Sequence, residues 1–222
     1  HLQLRAPTYE TEKTSLLWED LLDSPDELVA QANALEEVDA AAPVLWANGY
    51  LNTRDESVGL RIYGVETDSK IYSPFREGMV SGEFLTADDR SGILIGKRLA
   101  NSLNLNAGDT VSVAIINSDG MPDEIPFTIR GVYETGVFSY DDSALLMPFS
   151  KAQAFANTGG RASAVTMWLN NEDDADSVAA ALAGPSFRTL TWRSLNDMLI
   201  QTFETSKSFY NIMYGIVILI VA

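Results

Sequence analysis

The sequence predicts an α+β fold, on three observations. Strand, helix, strand sets stand at both ends, from His1 to Val44 and from Val165 to Thr191. Between them short apolar runs alternate with polar residues and are separated by turn residues, the pattern of strands with one buried face. From Gly92 to Val113 the chain reads as one unit: an apolar run closed by Gly96, a helix of about two turns with Leu99, Ala100 and Leu103 on one face, a turn at Asn106-Ala107-Gly108-Asp109, then a strand alternating through Val111, Val113 and Ile115. The matching terminal sets predict one α/β layer with the middle of the chain inserted into it.

In order, His1 to Arg5 alternates as a strand that Pro7 ends. Residues Thr8 to Asp23 are polar with apolar patches at Leu16-Leu17-Trp18 and Leu21-Leu22, and fit either an irregular loop or a short helix. Ser24-Pro25-Asp26-Glu27 predicts a helix start with Ser24 as N-cap, Pro25 in the first turn and Glu27 closing a capping box. Leu28, Ala32 and Leu35 mark its buried face. Val38 to Val44 leads through Pro43 into a strand over Val44 to Leu51, and Asn52 to Ser57 turns the chain into the hairpin partner Val58 to Val65. Asp68 to Gly82 reads as a connection anchored by Tyr72, Pro74 and Phe75.

After the Gly92–Val113 unit, Asn117 to Glu124 is a hairpin loop with an Asp-Gly turn signal, joining strands over Val111–Ile116 and Phe127–Tyr133. Ser143 to Met147 is a strand, Pro148 to Phe155 opens a helix, and Thr158-Gly159-Gly160 closes it. Val165–Leu169 is a strand and Glu172–Leu182 a helix whose acidic first turn suits the positive end of its dipole. Phe187–Thr191 is the last strand. Nothing from Ser194 onward breaks a helix before Gly215, and a continuous helix to Ala222 would extend about 43 Å at ~1.5 Å per residue.

Composition bounds the function. With 222 residues the chain can bury a sizeable core as one large domain or two small ones. The 31 Asp and Glu against 15 Lys and Arg give a net charge of −16, which argues against nucleic acid, since phosphate binding needs a basic face. No cysteine is present, which removes disulfides and cysteine metal sites, and the single histidine, His1, removes histidine general-base catalysis and most transition-metal sites. The chain starts without Met and shows no signal peptide, the expectation for a piece of a longer protein. Phe209 to Ala222 carries no charge. It is shorter than the ~20 residues that cross a bilayer as a helix. It reads as the truncated start of a transmembrane helix, with Tyr210 and Tyr214 at the interface, or as a buried C-terminal core helix.

Candidate sites are few. There is no Gly-x-x-x-x-Gly-Lys-Ser/Thr and no Gly-x-Gly-x-x-Gly, so Gly92 and Gly96 serve turning and close packing rather than phosphate binding. The acidic groups Asp88-Asp89, Asp141-Asp142 and Glu172-Asp173-Asp174 lack the spacing of a calcium loop, and adjacency alone does not converge carboxylates in a cleft. Lys97 and Arg98 fit the wet face of the short helix, and Ser206-Lys207 has no oxyanion donors suggested beside it. No catalytic, cofactor or metal residue is assigned. Met121, Pro122, Phe138 and Tyr140 put apolar groups into otherwise polar connections and are the candidate partner contacts, buried loop anchors being the alternative.

Gly-Ile-Leu-Ile-Gly-Lys-Arg-Leu-Ala-Asn-Ser-Leu-Asn-Leu-Asn-Ala-Gly-Asp-Thr-Val, from Gly92 to Val111, resembles a signature of ABC-transporter permeases of the lipoprotein-releasing LolC/LolE, FtsX-like and MacB type, in their extracytoplasmic domain. Ile62-Tyr63-Gly64-Val65, Phe75 to Leu85, Phe127 to Tyr133 and Tyr140-Asp141 resemble neighbouring family segments in order and spacing. The resemblance implies a ferredoxin-like (Porter-type) α/β subdomain from residues 1–48 and 162–193, an inserted β-rich (Sabre-type) subdomain at 49–161, and a C-terminal stalk helix at 194–222 leading into a transmembrane span. It further implies a non-catalytic domain outside the cytoplasmic membrane, without a cofactor. Its partners would be a cytoplasmic ABC ATP-binding subunit, a second permease copy or paralogue, and a lipoprotein, peptide or lipid-linked cargo. In lipoprotein-releasing permeases a longer hairpin near the Met121-Pro122 loop hooks a periplasmic carrier; here that loop is short. The competing readings are a secreted or surface carboxylate-dependent hydrolase and a single-span adhesion or signalling ectodomain.

Overall fold

The computed structural model describes residues 2–10 and 14–191. Its strands in chain order are β1 (Leu2–Arg5), β2 (Val38–Asn52), β3 (Ser57–Val65), β4 (Met79–Gly82), β5 (Gly92–Gly96), β6 (Thr110–Ile116), β7 (Pro122–Tyr133), β8 (Ala144–Pro148), β9 (Ala164–Leu169) and β10 (Arg188–Thr191). The α-helices are α1 (Pro25–Asn33), α2 (Ser73–Glu77), α3 (Lys97–Ser102), α4 (Phe138–Ser143), α5 (Phe149–Ala156) and α6 (Ala175–Ala181).

The two ends of the chain meet in one layer, ordered β10-β1-β9-β2 with every neighbour antiparallel. Helix α1 connects β1 to β2 and α6 connects β9 to β10. Successive strand residues point to opposite faces. Leu2, Leu4, Val165 and Met167 therefore turn together toward Leu28 and Ala32 of α1 and Val178 of α6. Gln3, Arg5, Thr166 and Trp168 turn to the other face.

The middle of the chain closes on itself. β2 pairs β3, β3 pairs β8, β8 pairs β5, β5 pairs β7, β7 pairs β6, and β6 returns to β2, a ring of six strands. Closure removes the open edges that a flat sheet would expose. The ring's interior holds Leu45, Leu51, Ile62, Ile93, Val113, Phe127, Ile129 and Leu145, and α5 plugs it with Phe155 and Ala152. Gly64 makes that plug fit, since a Cβ there would lie 2.3 Å from Ala152 Cβ. β2 belongs to both bodies: residues 38–44 pair β9, and residues 44–52 pair β3.

Several boundaries differ from the sequence reading. β2 begins at Val38, ahead of Pro43. Val44 turns its carbonyl to Ser163 on the β9 side. Pro43, one residue earlier, thus turns its donorless nitrogen to the opposite side, past the end of β3 at Val65, and costs the sheet no hydrogen bond. The capping box does not form. Helix α1 starts at Pro25 as expected, but Ser24 is left-handed (φ 47°, ψ 53°) and makes no side-chain cap; its carbonyl instead accepts from Glu27 N–H at 3.1 Å. β7 starts at Pro122, five residues earlier than expected, because it pairs β6 all the way to Ile116 and shortens the hairpin loop to Asn117–Met121. Helices α2 and α4 and strand β4 occupy stretches read as connections. At the start of the expected acidic helix, Glu172–Asp174 is a 3-10 turn leading into α6. Trp18–Asp20 is also a 3-10 turn, within otherwise irregular chain. The stalk and membrane-entering helix expected at 194–222 lies outside the described residues. No helix among the described residues is long and apolar enough to cross a membrane.

Candidate functional site

Two clefts on the described surface are large enough to take a ligand or partner segment. The larger, about 970 Å³, runs over the outside of the ring between β2, β6 and the Leu16-Leu17 segment. Tyr50, Ile116 and Leu17 present more than half their surface along it. Pro122 forms one side and Ser139 and Ser143 of α4 another. Met121 sits beside it at the hairpin tip, 61% exposed, where Asn117 Oδ1 accepts from the N–H groups of Asp119 and Met121 and Gly120 takes φ +75°.

The second cleft, about 610 Å³, lies on the helix-free face of the terminal layer. Its floor is Gln3 and Arg5 of β1, Trp46 of β2, Tyr63 of β3 and Trp168 of β9. Its far wall is aromatic: Tyr140 meets Tyr63 at 5.6 Å and Phe75 at 5.2 Å, and Phe75 meets the buried Tyr133 edge-on at 5.1 Å. Edge-to-face packing of this kind adds to the stabilisation from burial alone. Burial raises the phenol pKa values of Tyr9, Tyr63 and Tyr140 above the ordinary tyrosine range.

Arg5 is the buried charge of this cleft. It is only 6% exposed, and its guanidinium lies 4.8 Å from the rings of both Tyr9 and Trp46. Nε and Nη2 donate to Gln3 Oε1 at 3.0 and 2.6 Å. Nη1 is buried without a hydrogen-bond partner among the described residues. Burial pulls the guanidinium below the usual arginine range, with Arg188 adding to the shift against the opposing influence of Tyr9. Arg188 in turn donates to the Tyr9 carbonyl at 3.0 Å and fastens the loop that carries the ring.

The four residues singled out from sequence fall in different surroundings. Phe138 is 63% exposed with Arg98 stacked 4.7 Å over its ring, and Met121 and Pro122 are exposed at the hairpin. Tyr140 is half-buried in the aromatic wall of the second cleft. The acidic groups do not converge. Asp89 caps a turn by accepting from Thr86 N–H at 3.0 Å. Asp141 is buried, accepting from Thr135 N–H and Oγ1 and from Gly136 N–H at 2.8 to 2.9 Å. Asp142 approaches Arg98 at 3.7 Å. Among the described residues no three His, Cys, Asp or Glu side chains form a group that could hold a metal. Arg5, Trp46, Tyr63 and Trp168 went unnoticed in the sequence. The alternation of β1, which sets Gln3 and Arg5 opposite Leu2 and Leu4, was the available signal.

The profile of the MacB-like periplasmic core domain matches residues 6–184. Among solved structures, the chain resembles the periplasmic region of MacB from Actinobacillus actinomycetemcomitans (17% identity, 91% of this chain and 92% of that one, TM-score 0.56). It also resembles the extracellular domain of the noncanonic ABC-type transporter YknZ from Gram-positive bacteria (14% identity, 86% and 100%, TM-score 0.56). No curated protein matches by sequence. At these identities the two structures speak for the fold alone, while the profile spans both the terminal layer and the six-stranded ring; the chain belongs to the MacB-like periplasmic core domain family.

Proposed function

We propose that the chain is the extracytoplasmic domain of an ABC transporter permease and acts without chemistry of its own, coupling movement of membrane helices to the handling of a lipoprotein, peptide or lipid-linked cargo. The family match over residues 6–184 carries this reading. The strand order β10-β1-β9-β2 with helical crossovers supports a ferredoxin-like, Porter-type subdomain from residues 1–48 and 162–193. The closed ring supports a Sabre-type insertion at 49–161, with β2 running unbroken from one into the other. Residues 194–222 would lead into the membrane. A cytoplasmic ATP-binding subunit supplies the energy, and a second permease chain supplies the opposing domain. Two rigid heads on helices that move relative to one another open and close by hinge or shear. The exposed Met121, Pro122 and Phe138 are the contacts offered to the partner or cargo, and Tyr140 supports them from the cleft wall.

The absence of cysteine makes the topology directly testable. In the full-length protein, on a background with any other cysteines removed, Met121→Cys should react with a membrane-impermeant maleimide added to intact spheroplasts. The ATP-binding subunit should co-purify with it. Labelling only after the membrane is permeabilised would reject the reading.

A further inference from the structure

The second cleft holds a charge that the fold leaves incomplete. Buried charges are normally paired, because an isolated one loses its hydration without compensation. Arg5 is buried against a neutral amide, Gln3, and two aromatic rings, and one of its terminal nitrogens has no acceptor. The rings compensate part of the lost hydration through their negative faces, but they accept no strong hydrogen bond from Nη1. The cleft that Arg5 lines also includes Arg61, and among the described residues no Asp or Glu lines it, in a chain of net charge −16. The rest of its surface is dominated by aromatic and aliphatic side chains, the composition of small-ligand sites that fix orientation with a few polar groups.

We propose that this cleft binds a carboxylate carried on an apolar body, the Arg5 guanidinium donating to a carboxylate oxygen while Tyr63, Phe75, Tyr140 and Trp168 enclose the apolar part. The guanidinium is held in place before the ligand arrives, since Gln3 fixes Nε and Nη2 and the Tyr9 and Trp46 rings fix its plane. Its forked geometry suits a carboxylate. A fatty acid and the C-terminus of an apolar peptide share this chemistry. The inference goes beyond the transport reading and concerns the cleft alone, so either can fail without the other.

The test is titration of the 222-residue chain, read by tryptophan fluorescence and calorimetry, with two matched pairs: decanoate against decanamide, and acetyl-Leu-Phe as free acid against its C-terminal amide. At least one acid should bind tenfold or more tightly than its amide, and the pair that discriminates assigns the source as lipid or peptide. Arg5→Gln should abolish that discrimination and Arg5→Lys should restore part of it, while Arg98→Gln, at an exposed arginine, should leave it unchanged. If Arg5→Gln fails to fold, the acid-against-amide comparison on the unaltered chain still decides. Equal affinity of both acids and their amides, no binding of either acid, or undiminished discrimination in a folded Arg5→Gln protein would overturn the proposal.

Discussion

Single positions in this chain are held by space as much as by chemistry, and the glycines separate the two. Gly96 ends β5 with an ordinary φ of −70°, so its backbone makes no demand for glycine. Its surroundings do: a Cβ would lie 2.3 Å from the Asp141 carbonyl oxygen, a backbone atom of α4. Gly59 on β3 meets only Tyr50 Cε1, at 3.7 Å. Gly96→Ala should therefore cost about 1–3 kcal/mol by forcing α4 off β5, as overpacked sites do. Gly59→Ala should be neutral or stabilising by about 0.5 kcal/mol through the unfolded chain. Urea denaturation of both variants checks the contrast, and equal effects would show that the approach of α4 is not tight. The sequence already marked Gly96 as a close-packing position. It could not say what packs there, because Asp141 lies 45 residues further along.

At the scale of elements, α4 shows how tertiary contacts make a helix that local propensity does not. Phe138–Ser143 has no helical apolar period, and the sequence reads it as a connection. The Asp141 carboxylate ties the helix to Thr135 and Gly136, and the Tyr133 hydroxyl on β7 donates to the carbonyls of Tyr140 and Ala144 at 3.0 and 3.1 Å. Burial, reinforced by the nearby Asp141 charge, raises the Tyr133 phenol far above its ordinary 10.0. Burial also raises Tyr72. The sign follows from linkage. Below pH 10 both folded and unfolded chains keep these protons and nothing changes; above it the unfolded chain releases them while the folded chain holds them, so stability falls as pH rises. The slope should reach about 1.4 kcal/mol per pH unit for each such tyrosine. Tyr133→Phe should be destabilised at neutral pH by the loss of the one O–H that the two carbonyls share, yet lose stability less steeply between pH 10 and 11. Unfolding curves across that range check it, and parallel pH profiles would mean that the Tyr133 proton is not trapped by the fold.

The whole molecule is joined through one strand. β2 gives residues 38–44 to the terminal layer and residues 44–52 to the ring, so neither body can lose its hydrogen bonds without disturbing the other's. Gly49 sits where β2 passes between β3 and β6, and a Cβ there would lie 2.6 Å from the Ala114 carbonyl oxygen. Chemical denaturation of the folded head should accordingly be a single transition, with circular dichroism and tryptophan fluorescence coincident. Gly49→Val should lower the common midpoint rather than uncouple a second one. Two resolved transitions in the unaltered chain would show that the layer and the ring are separate folding units.

Apolar periodicity by itself marked most of the strands and the helices α1, α3, α5 and α6, and the twin terminal sets already implied a shared layer, because alternation and turn chemistry are local properties that a linear chain displays. Composition likewise shows no cysteine and one histidine, at the first position. Only the tertiary structure decided that six strands close into a ring, that α4 exists, and that Arg5 meets Tyr9, Trp46, Tyr63 and Trp168 in one cleft. Those facts depend on pairings between residues as far apart as Gln3 and Thr166, and no local pattern encodes which distant strand a given strand will choose.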